Sequence, residues 1–187
     1  IHDPFVVLTL AAQATERVEL GTKVAIAFAR SPMALAYTAN DIQQLSGGRL
    51  VLGLGTQVRA HILRRFSMPW TRPAARMREY VLALQAIWAA WNDGTELSFR
   101  GEFFTHNLMN PLFCPPPNPF GAPKVMLAGV GPLMIEAAGE VADRERARRG
   151  ALAHRGVQRT GCDEDVEAEP ERVGEAPGLE GAGSVED

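Results

Sequence analysis

The sequence has few cysteines and lacks any long apolar run. Its two cysteines in 187 residues, Cys114 and Cys162, lie far apart and without metal-ligand neighbours. This scarcity argues against a disulfide framework or a metal site and favours free thiols in a reducing compartment. No basic-then-apolar leader is evident, and the net charge is −3. We therefore expect a cytoplasmic protein without a membrane or nucleic-acid partner.

Several motifs of common enzyme classes are also missing. No third glycine follows Gly53-x-Gly55 at the dinucleotide-binding spacing, and no Gly-Lys-Ser/Thr follows it. These absences disfavour a Rossmann or P-loop site. The sequence also shows no Ser-His-Asp order, no paired catalytic carboxylates and no metal-ligand cluster, which disfavours hydrolase and metal chemistry.

The last quarter of the chain lacks large apolar residues. Residues 144–187 contain no Phe, Trp, Tyr, Ile or Met, whereas half of all acidic residues fall there. Such a composition cannot bury enough apolar surface to offset the entropy of ordering. We predict a folded domain over 1–143 and a disordered tail over 144–187. The abrupt change motivates the hypothesis of an out-of-frame tail, which the other reading frames of the coding DNA would test.

The first 143 residues alternate short apolar runs with amphipathic helices. Helix starts are predicted at Asp3-Pro4, Ser31-Pro32, Pro73 and Pro132, because a capping side chain or a proline favours the first turn. The predicted helices cover 4–17, 32–46, 73–91 and 132–142, the strands cover 18–28, 50–54 and 124–128, and an excursion with a hairpin and a proline cluster covers 95–123. Residues 56–71 are predicted to form a loop.

This alternation indicates parallel strands joined by right-handed crossovers. Three strands do not close a barrel, and eight strands need about 250 residues. The predicted fold class is therefore α/β, a partial (β/α)₈ TIM barrel that resembles the middle of a longer one. Unpaired strand edges of such a piece would favour a homo-oligomer or self-association.

A glycine-bounded run, Gly47-Gly48-Arg49-Leu50-Val51-Leu52-Gly53-Leu54-Gly55-Thr56, organises the predicted site. The run is too short for a buried helix and fits a strand buried on both faces. Its last glycines leave backbone N–H groups open to a bound anion or ring at the carboxyl end of the strand, where ligands bind in α/β folds. A glycine-rich turn without a ligand is the alternative, and the motif alone does not decide between them.

Several motifs in order resemble the luciferase-like monooxygenase superfamily. The first are Glu16-Arg17-Val18-Glu19-Leu20-Gly21-Thr22, Arg30-Ser31-Pro32 and Leu45-Ser46 followed by the run from Gly47 to Gly55. The runs Gln57-Val58-Arg59-Ala60-His61, Met68-Pro69-Trp70 and Ala74-Ala75-Arg76-Met77-Arg78-Glu79-Tyr80 look most similar to an F420-dependent branch. The resemblance covers about residues 1–143 and implies a (β/α)₈ barrel that uses the deazaflavin coenzyme F420 or, alternatively, reduced FMN.

The resemblance also implies which residues hold the cofactor. It places the ring on a bulged first strand with a non-proline cis peptide at Lys23-Val24, for which an ordinary trans strand is the alternative. Gly55-Thr56-Gln57 would meet the cofactor through backbone groups, and Gly129-Val130-Gly131 would bind its phosphate. Arg59 and His61 would point into the pocket. His61, as the catalytic residue, would bond the ring or the substrate; the alternative is a solvated histidine.

The implied function is an oxidoreductase that acts on a small organic substrate by hydride transfer or monooxygenation. Val58 lies where relatives that oxidise sugar phosphates carry a glutamate general acid, which puts that reaction in doubt. The excursion around residues 103–120 is expected to contribute to substrate identity. Two alternatives stay open: a barrel relative that binds the cofactor without turnover, and an inactive truncated fragment.

Overall fold

The computed structural model of the chain describes residues 2–142, which form an α/β fold. The helices are α1 (Pro4–Ala14), α2 (Pro32–Leu45), α3 (Arg59–Arg64), α4 (Pro73–Asp93) and α5 (Pro132–Val141). The strands are β1 (Leu20–Gly21), β2 (Ala25–Ile26), β3 (Leu50–Gly55), β4 (Phe99–Arg100), β5 (Thr105–His106) and β6 (Lys124–Leu127). The predictions made for residues 143–187 lie outside the described residues.

Strand β3 is the centre of the main sheet. Leu54 pairs in parallel with Ala25 of β2 on one edge and with Leu127 of β6 on the other. All six residues of β3 are buried, as predicted for a parallel strand covered on both faces. Within residues 2–142 the strands do not close into a barrel.

The predicted helix starts are confirmed. The Asp3 carboxylate accepts the N–H of Phe5 at 2.9 Å, and the Ser31 hydroxyl accepts that of Ala34 at 3.2 Å. A proline occupies the first turn of α1, α2, α4 and α5. The missing proline N–H is no loss there, because the first N–H groups of a helix have no intrahelical acceptor.

Helix α1 ends earlier than predicted, at Ala14 and not near residue 17. Beyond this end, the guanidinium of Arg49 donates hydrogen bonds to the carbonyls of Ala12 and Thr15 at 2.9 and 2.7 Å, and to that of Val18 at 2.8 Å. A distant side chain therefore satisfies the Ala12 carbonyl, which a further helical turn would have satisfied, and two carbonyls of the segment that follows α1.

Helix α4 is the core helix and has the apolar stripe that the sequence predicts. Its buried apolar residues are Met77, Tyr80, Val81, Ala83, Leu84, Ile87, Trp88, Ala90 and Trp91. The indole N–H of Trp88 donates to the carbonyl of Ala36 in α2 at 3.2 Å. Gly94 ends the helix in the left-handed conformation, at φ +68°, where glycine is favoured.

Two segments differ from the prediction. The predicted loop over 56–71 contains helix α3, which the fully buried side chain of Ile62 anchors to the core. The predicted strand over 18–28 is interrupted: β1 and β2 are separated by three residues, and a 3₁₀ turn at Ala27–Ala29 follows. Hydrophobic pattern alone did not separate these local structures from a loop and a continuous strand.

The excursion between α4 and β6 contains the predicted hairpin, β4 with β5, in antiparallel register. Buried Asn118 then fixes the proline-rich return. Its amide group donates to the side-chain oxygen of Asn40 in α2 at 2.9 Å, and its backbone N–H donates to the side-chain oxygen of Asn92 in α4 at 2.8 Å. The excursion is therefore held to helices α2 and α4 by the hydrogen bonds of a buried asparagine. No helix among the described residues has both the length and the apolar character needed to cross a bilayer.

Candidate functional site

The first strand is bulged at the residues that the resemblance singles out. The registers of β1 and β2 against β3 differ by one residue, so the segment from Thr22 to Val24 carries one residue more than β3 spans. The peptide bond between Lys23 and Val24 is cis, as expected, and Lys23 and Val24 are exposed. The alternative of an ordinary trans strand is therefore wrong.

The bulge explains why β3 contains two glycines. A Cβ atom at Gly53 would lie 2.0 Å from the carbonyl oxygen of Thr22, and one at Gly55 would lie 2.6 Å from a methyl group of Val24. The Thr22 hydroxyl donates to the Gly53 carbonyl at 2.6 Å and joins the bulge to β3. The glycine pair is thus required for the packing of the bulge, whether or not a ligand binds at this edge.

Beyond Gly55 the chain makes a polar turn into α3. Gln57 adopts φ +65°, and its side-chain oxygen accepts the N–H of Val58 at 3.0 Å. The Thr56 hydroxyl donates to the Gln57 carbonyl at 2.9 Å. These local bonds hold Gln57 in a conformation that is uncommon for a residue other than glycine and leave Val58 exposed.

The end of β6 leads directly into the N-terminus of α5. The Ala128 N–H donates to the Leu54 carbonyl at 2.9 Å, which keeps the strand ends side by side. Gly131 then caps α5 at φ +84°, a conformation that favours glycine, and a Cβ there would meet no atom within 4 Å. Val130 is 90% exposed. This segment is therefore open at the start of a ten-residue helix.

The three predicted cofactor-binding segments lie at the same edge of the sheet. One segment lies in the bulge between β1 and β2, and the other two lie at the ends of β3 and β6. Both β2 and β6 pair in parallel with β3. A Cβ at Gly55 would lie within 4 Å of both Val24 and Ala128, which shows that the segments converge. Lys23-Val24, Gly55-Thr56-Gln57 and Gly129-Val130-Gly131 thus form one surface at the carboxyl ends of the strands.

Arg59 and His61 lie on helix α3, not in the predicted loop, and both are exposed. The His61 carbonyl accepts the N–H groups of Arg65 and Phe66, both at 3.0 Å, so its backbone closes the helix. The orientation of the two side chains toward the pocket stays a prediction.

Three polar residues of α4 were missed by the sequence reasoning. Arg76 is buried between aromatic rings, the Glu79 carboxylate accepts backbone N–H groups, and the Tyr80 hydroxyl donates to the Arg30 carbonyl at 3.2 Å. Burial lowers the pKa of the Arg76 guanidinium and raises the pKa of the Tyr80 hydroxyl. The available signal was two charged residues spaced i, i+3 beside the apolar stripe of the core helix.

A cleft of about 380 Å³ lies away from the candidate edge. It is lined by the last turns of α4 and by the amino end of β6, including Gln85, Trp88 and Asn92. Two of its polar side chains already have partners, since Gln85 donates to the Val141 carbonyl and Asn92 accepts from Asn118. We assign it no role. Among residues 2–142, no group of three His, Cys, Asp or Glu side chains is arranged to hold a metal ion.

Comparison with known proteins is consistent with this geometry. A family model described as luciferase-like monooxygenase matches residues 1–144. An uncharacterised protein of Mycobacterium tuberculosis is 60% identical over 142 residues, which cover 76% of this chain and 42% of that protein. The phthiodiolone/phenolphthiodiolone dimycocerosates ketoreductase of Mycobacterium kansasii is 35% identical over 143 residues, covering 76% of this chain and 38% of that protein.

A solved structure shares the fold. The coenzyme F420-dependent tetrahydromethanopterin reductase of Methanopyrus kandleri superposes with a TM-score of 0.59 at 22% identity, covering 75% of this chain and 43% of that one. The chain thus spans about two fifths of the length of the proteins it matches.

Proposed function

Because the chain belongs to the luciferase-like monooxygenase family, we propose that it forms part of an oxidoreductase whose cofactor ring lies on the carboxyl edge of the sheet. In this proposal the parallel sheet is an arc of a (β/α)₈ barrel. The single observation that supports the site most strongly is the convergence of Val24, Gly55 and Ala128 at that edge. The carboxyl ends of the strands carry the active site in barrels of this type.

The edge residues fit a planar ring with an anionic tail. Val24, Val58 and Val130 present exposed apolar surface, which a ring system would cover. The start of α5 at Gly131 is free of side-chain bulk, and a helix N-terminus favours an anion such as a phosphate. We propose Lys23, Val24, Gly55, Thr56, Gln57, Arg59, Gly129, Val130 and Gly131 as the cofactor-binding residues.

Coenzyme F420 is our first choice of cofactor and FMN the alternative. The runs at 57–61 and 68–70 support F420 by resemblance, and the ketoreductase relative supports a carbonyl group as the part of the substrate that reacts. When bound, such a cofactor supplies a hydride or, for FMN, activates oxygen. His61 is our candidate to hydrogen-bond the substrate oxygen and to give it a proton, since an imidazole can serve as a general acid near neutral pH.

Fluorescence titration of the purified chain with F420 and with FMN tests this proposal. Ligand binding is the property to measure, because the chain spans about two fifths of its relatives. We expect tighter binding of F420 than of FMN. Val130→Glu should weaken binding about tenfold, because a carboxylate would face the anionic tail.

Val18→Glu is the matched control, since Val18 is also exposed but lies before β1, at the amino end of the first strand. Its affinity should equal that of the unaltered chain. No binding of either compound would overturn the proposal, and tighter binding of FMN would overturn the choice of F420.

A further inference from the structure

Three separate segments of the chain meet at the side chain of Arg76. The guanidinium lies 4.9 Å from the ring centre of Phe28 and 5.5 Å from that of Phe104, and one of its nitrogens donates to the carbonyl of Pro69. Arg76 is 7% exposed. A single buried cation thus contacts the end of the bulged strand, the loop after α3 and the turn of the excursion.

Two of these segments lead directly to the candidate edge. Phe28 follows β2 after one residue, and its ring packs edge-on against Trp70 with 5.8 Å between the ring centres. The loop 65–72, which contains Trp70, is bonded to α3, because the Met68 N–H donates to the Ile62 carbonyl at 3.0 Å. Arg76 therefore connects the helix that bears His61 with the bulged strand.

The third segment is held by Glu79, one helical turn further along α4. Its carboxylate accepts the N–H groups of Glu102, Phe103 and Phe104 at 2.9, 2.8 and 2.7 Å. Gly101 is required for this approach, since a Cβ there would lie 2.0 Å from the same carboxylate. The carboxylate thus fixes the turn that places Phe104 on Arg76.

Arg76 forms no ion pair with a carboxylate of the described residues. Within 2–142 the ion pairs join Arg30 with Asp3, Arg72 with Glu102 and Arg78 with Glu140. Arg76 instead uses a carbonyl and two aromatic faces, and its Nε is buried without a hydrogen-bond partner. An apolar side chain of similar length would leave no buried acid unpaired, so its cost in global stability should be small.

We propose that Arg76 is a positioning residue: with Glu79 it holds the loop 65–72 and the turn 101–104 in place beside the carboxyl edge of the sheet. Its effect on cofactor binding rests on the proposed function. Its effect on the two segments does not, because it follows from contacts within the chain. A charged residue suits this role, since its hydrogen bond and ring contacts are directional, whereas apolar packing tolerates displacement.

Hydrogen exchange of the full chain tests the holding role. Arg76→Met should accelerate exchange of the Phe66 and Met68 amides about tenfold while the thermal midpoint stays within about 2 °C. Arg78→Met is the matched control, since this exposed arginine lies two residues away on the same helix. It should change neither quantity. Unchanged exchange in Arg76→Met, or a general acceleration with a lower midpoint, would overturn the proposal.

Two further variants keep the test decisive if Arg76→Met does not fold. Arg76→Lys keeps the charge and a donor but lacks the planar guanidinium that lies near both rings, so it should give an intermediate acceleration. Glu79→Gln should accelerate exchange of the amides at 102–104 selectively, because a neutral amide accepts these three bonds less strongly. Native exchange rates in both variants would contradict the proposal.

Cofactor titration of the same variants separates this inference from the proposed function. If the unaltered chain binds F420 or FMN, Arg76→Met should bind it about tenfold more weakly and Arg78→Met should bind it equally well. Equal affinity in Arg76→Met despite faster exchange would overturn the positioning role. If the unaltered chain binds neither compound, the proposed function fails, and the exchange rates still decide whether Arg76 holds the two segments.

Discussion

Two glycine pairs in this chain have the same spacing and the same place in the fold, yet they differ in what surrounds them. Gly53-x-Gly55 and Gly129-x-Gly131 lie in or just after parallel strands whose carboxyl ends meet at one edge. A Cβ at Gly53 would clash with backbone at 2.0 Å, whereas one at Gly131 would meet nothing within 4 Å. The first pair is enclosed, whereas the second, which we call the open pair, is open at Gly131, and a Cβ at Gly129 would lie closest to Ile135.

Glycine is needed for a different physical reason in each pair. At Gly53 glycine is needed because a bulged neighbouring strand occupies the space of a side chain. At Gly131 it is needed because φ is +84°, which other residues adopt only with strain. The open pair leaves room for a ligand beside the glycine, whereas Gly55 could meet a ligand only through its backbone. The first pair should therefore mainly control stability and the second should mainly control binding.

The largest effect is expected for Gly53→Ala. The added methyl group would overlap the Thr22 carbonyl, which belongs to paired backbone and cannot move aside. We expect a loss of about 3 kcal/mol in the free energy of unfolding, measured by urea denaturation. Gly139→Ala, in an open position on α5, is the control and should gain about 0.5 kcal/mol. A loss below about 1 kcal/mol at Gly53 would contradict the enclosed geometry.

Thr22→Val should have the second-largest effect. It keeps the shape of the buried side chain but removes the hydroxyl that donates to the Gly53 carbonyl at 2.6 Å. We expect a loss of about 2 kcal/mol by the same measurement, because a buried acceptor loses its donor. Thr38→Val is the control, since that hydroxyl bonds only within α2, and its effect should stay within about 0.5 kcal/mol. Equal effects of the two substitutions would show that the bulge does not depend on this bond.

A smaller loss of stability is expected for Gly131→Ala. Alanine meets no steric obstacle there but must adopt φ +84°. We expect about 1 kcal/mol of destabilisation, confined to the start of α5 and detected as faster hydrogen exchange of its first amides. If the open pair contributes to binding, the affinity for F420 or FMN should fall by more than the smaller fraction of folded protein explains. A fully native affinity would remove Gly131 from the proposed site.

Gly129→Ala should have the smallest effect on stability. Its Cβ would lie 3.1 Å from a side-chain carbon of Ile135, which is exposed and has room to move. We expect a change within about 0.5 kcal/mol in urea denaturation. A loss above about 1 kcal/mol would mean that this pair is as enclosed as Gly53-x-Gly55, and the comparison between the two pairs would fail.

Local signals explain the parts of the fold that were predicted correctly. Asp3 and Ser31 cap helices through bonds to residues two and three positions away, and Gly94 ends α4 through its own backbone conformation. The apolar run of β3 predicted burial on both faces. Each of these features depends on residues that are neighbours in the sequence or on a short apolar run, and both are visible in the sequence.

The misplaced and missed features depend on distant partners. Helix α3 was predicted as a loop because its six residues show one deeply buried position, Ile62, and no cap. Arg49 and Arg76 were not assigned their roles, since their partners are carbonyls and rings that become neighbours only after folding. A cation that binds carbonyl groups or aromatic rings has no acidic partner at a fixed spacing in the sequence, so the sequence does not reveal the contact.

By itself the sequence determined helices α1, α2, α4 and α5 with their starts, the buried strand β3 and the family of the chain. Resemblance also located the cis peptide, although periodicity had suggested an unbroken strand over residues 18–28. Tertiary structure alone decided which glycine pair is enclosed and which is open. The reason is that the space beside a glycine is set by whichever distant segment packs there: the bulge at Thr22 fills it at Gly53, and nothing fills it at Gly131.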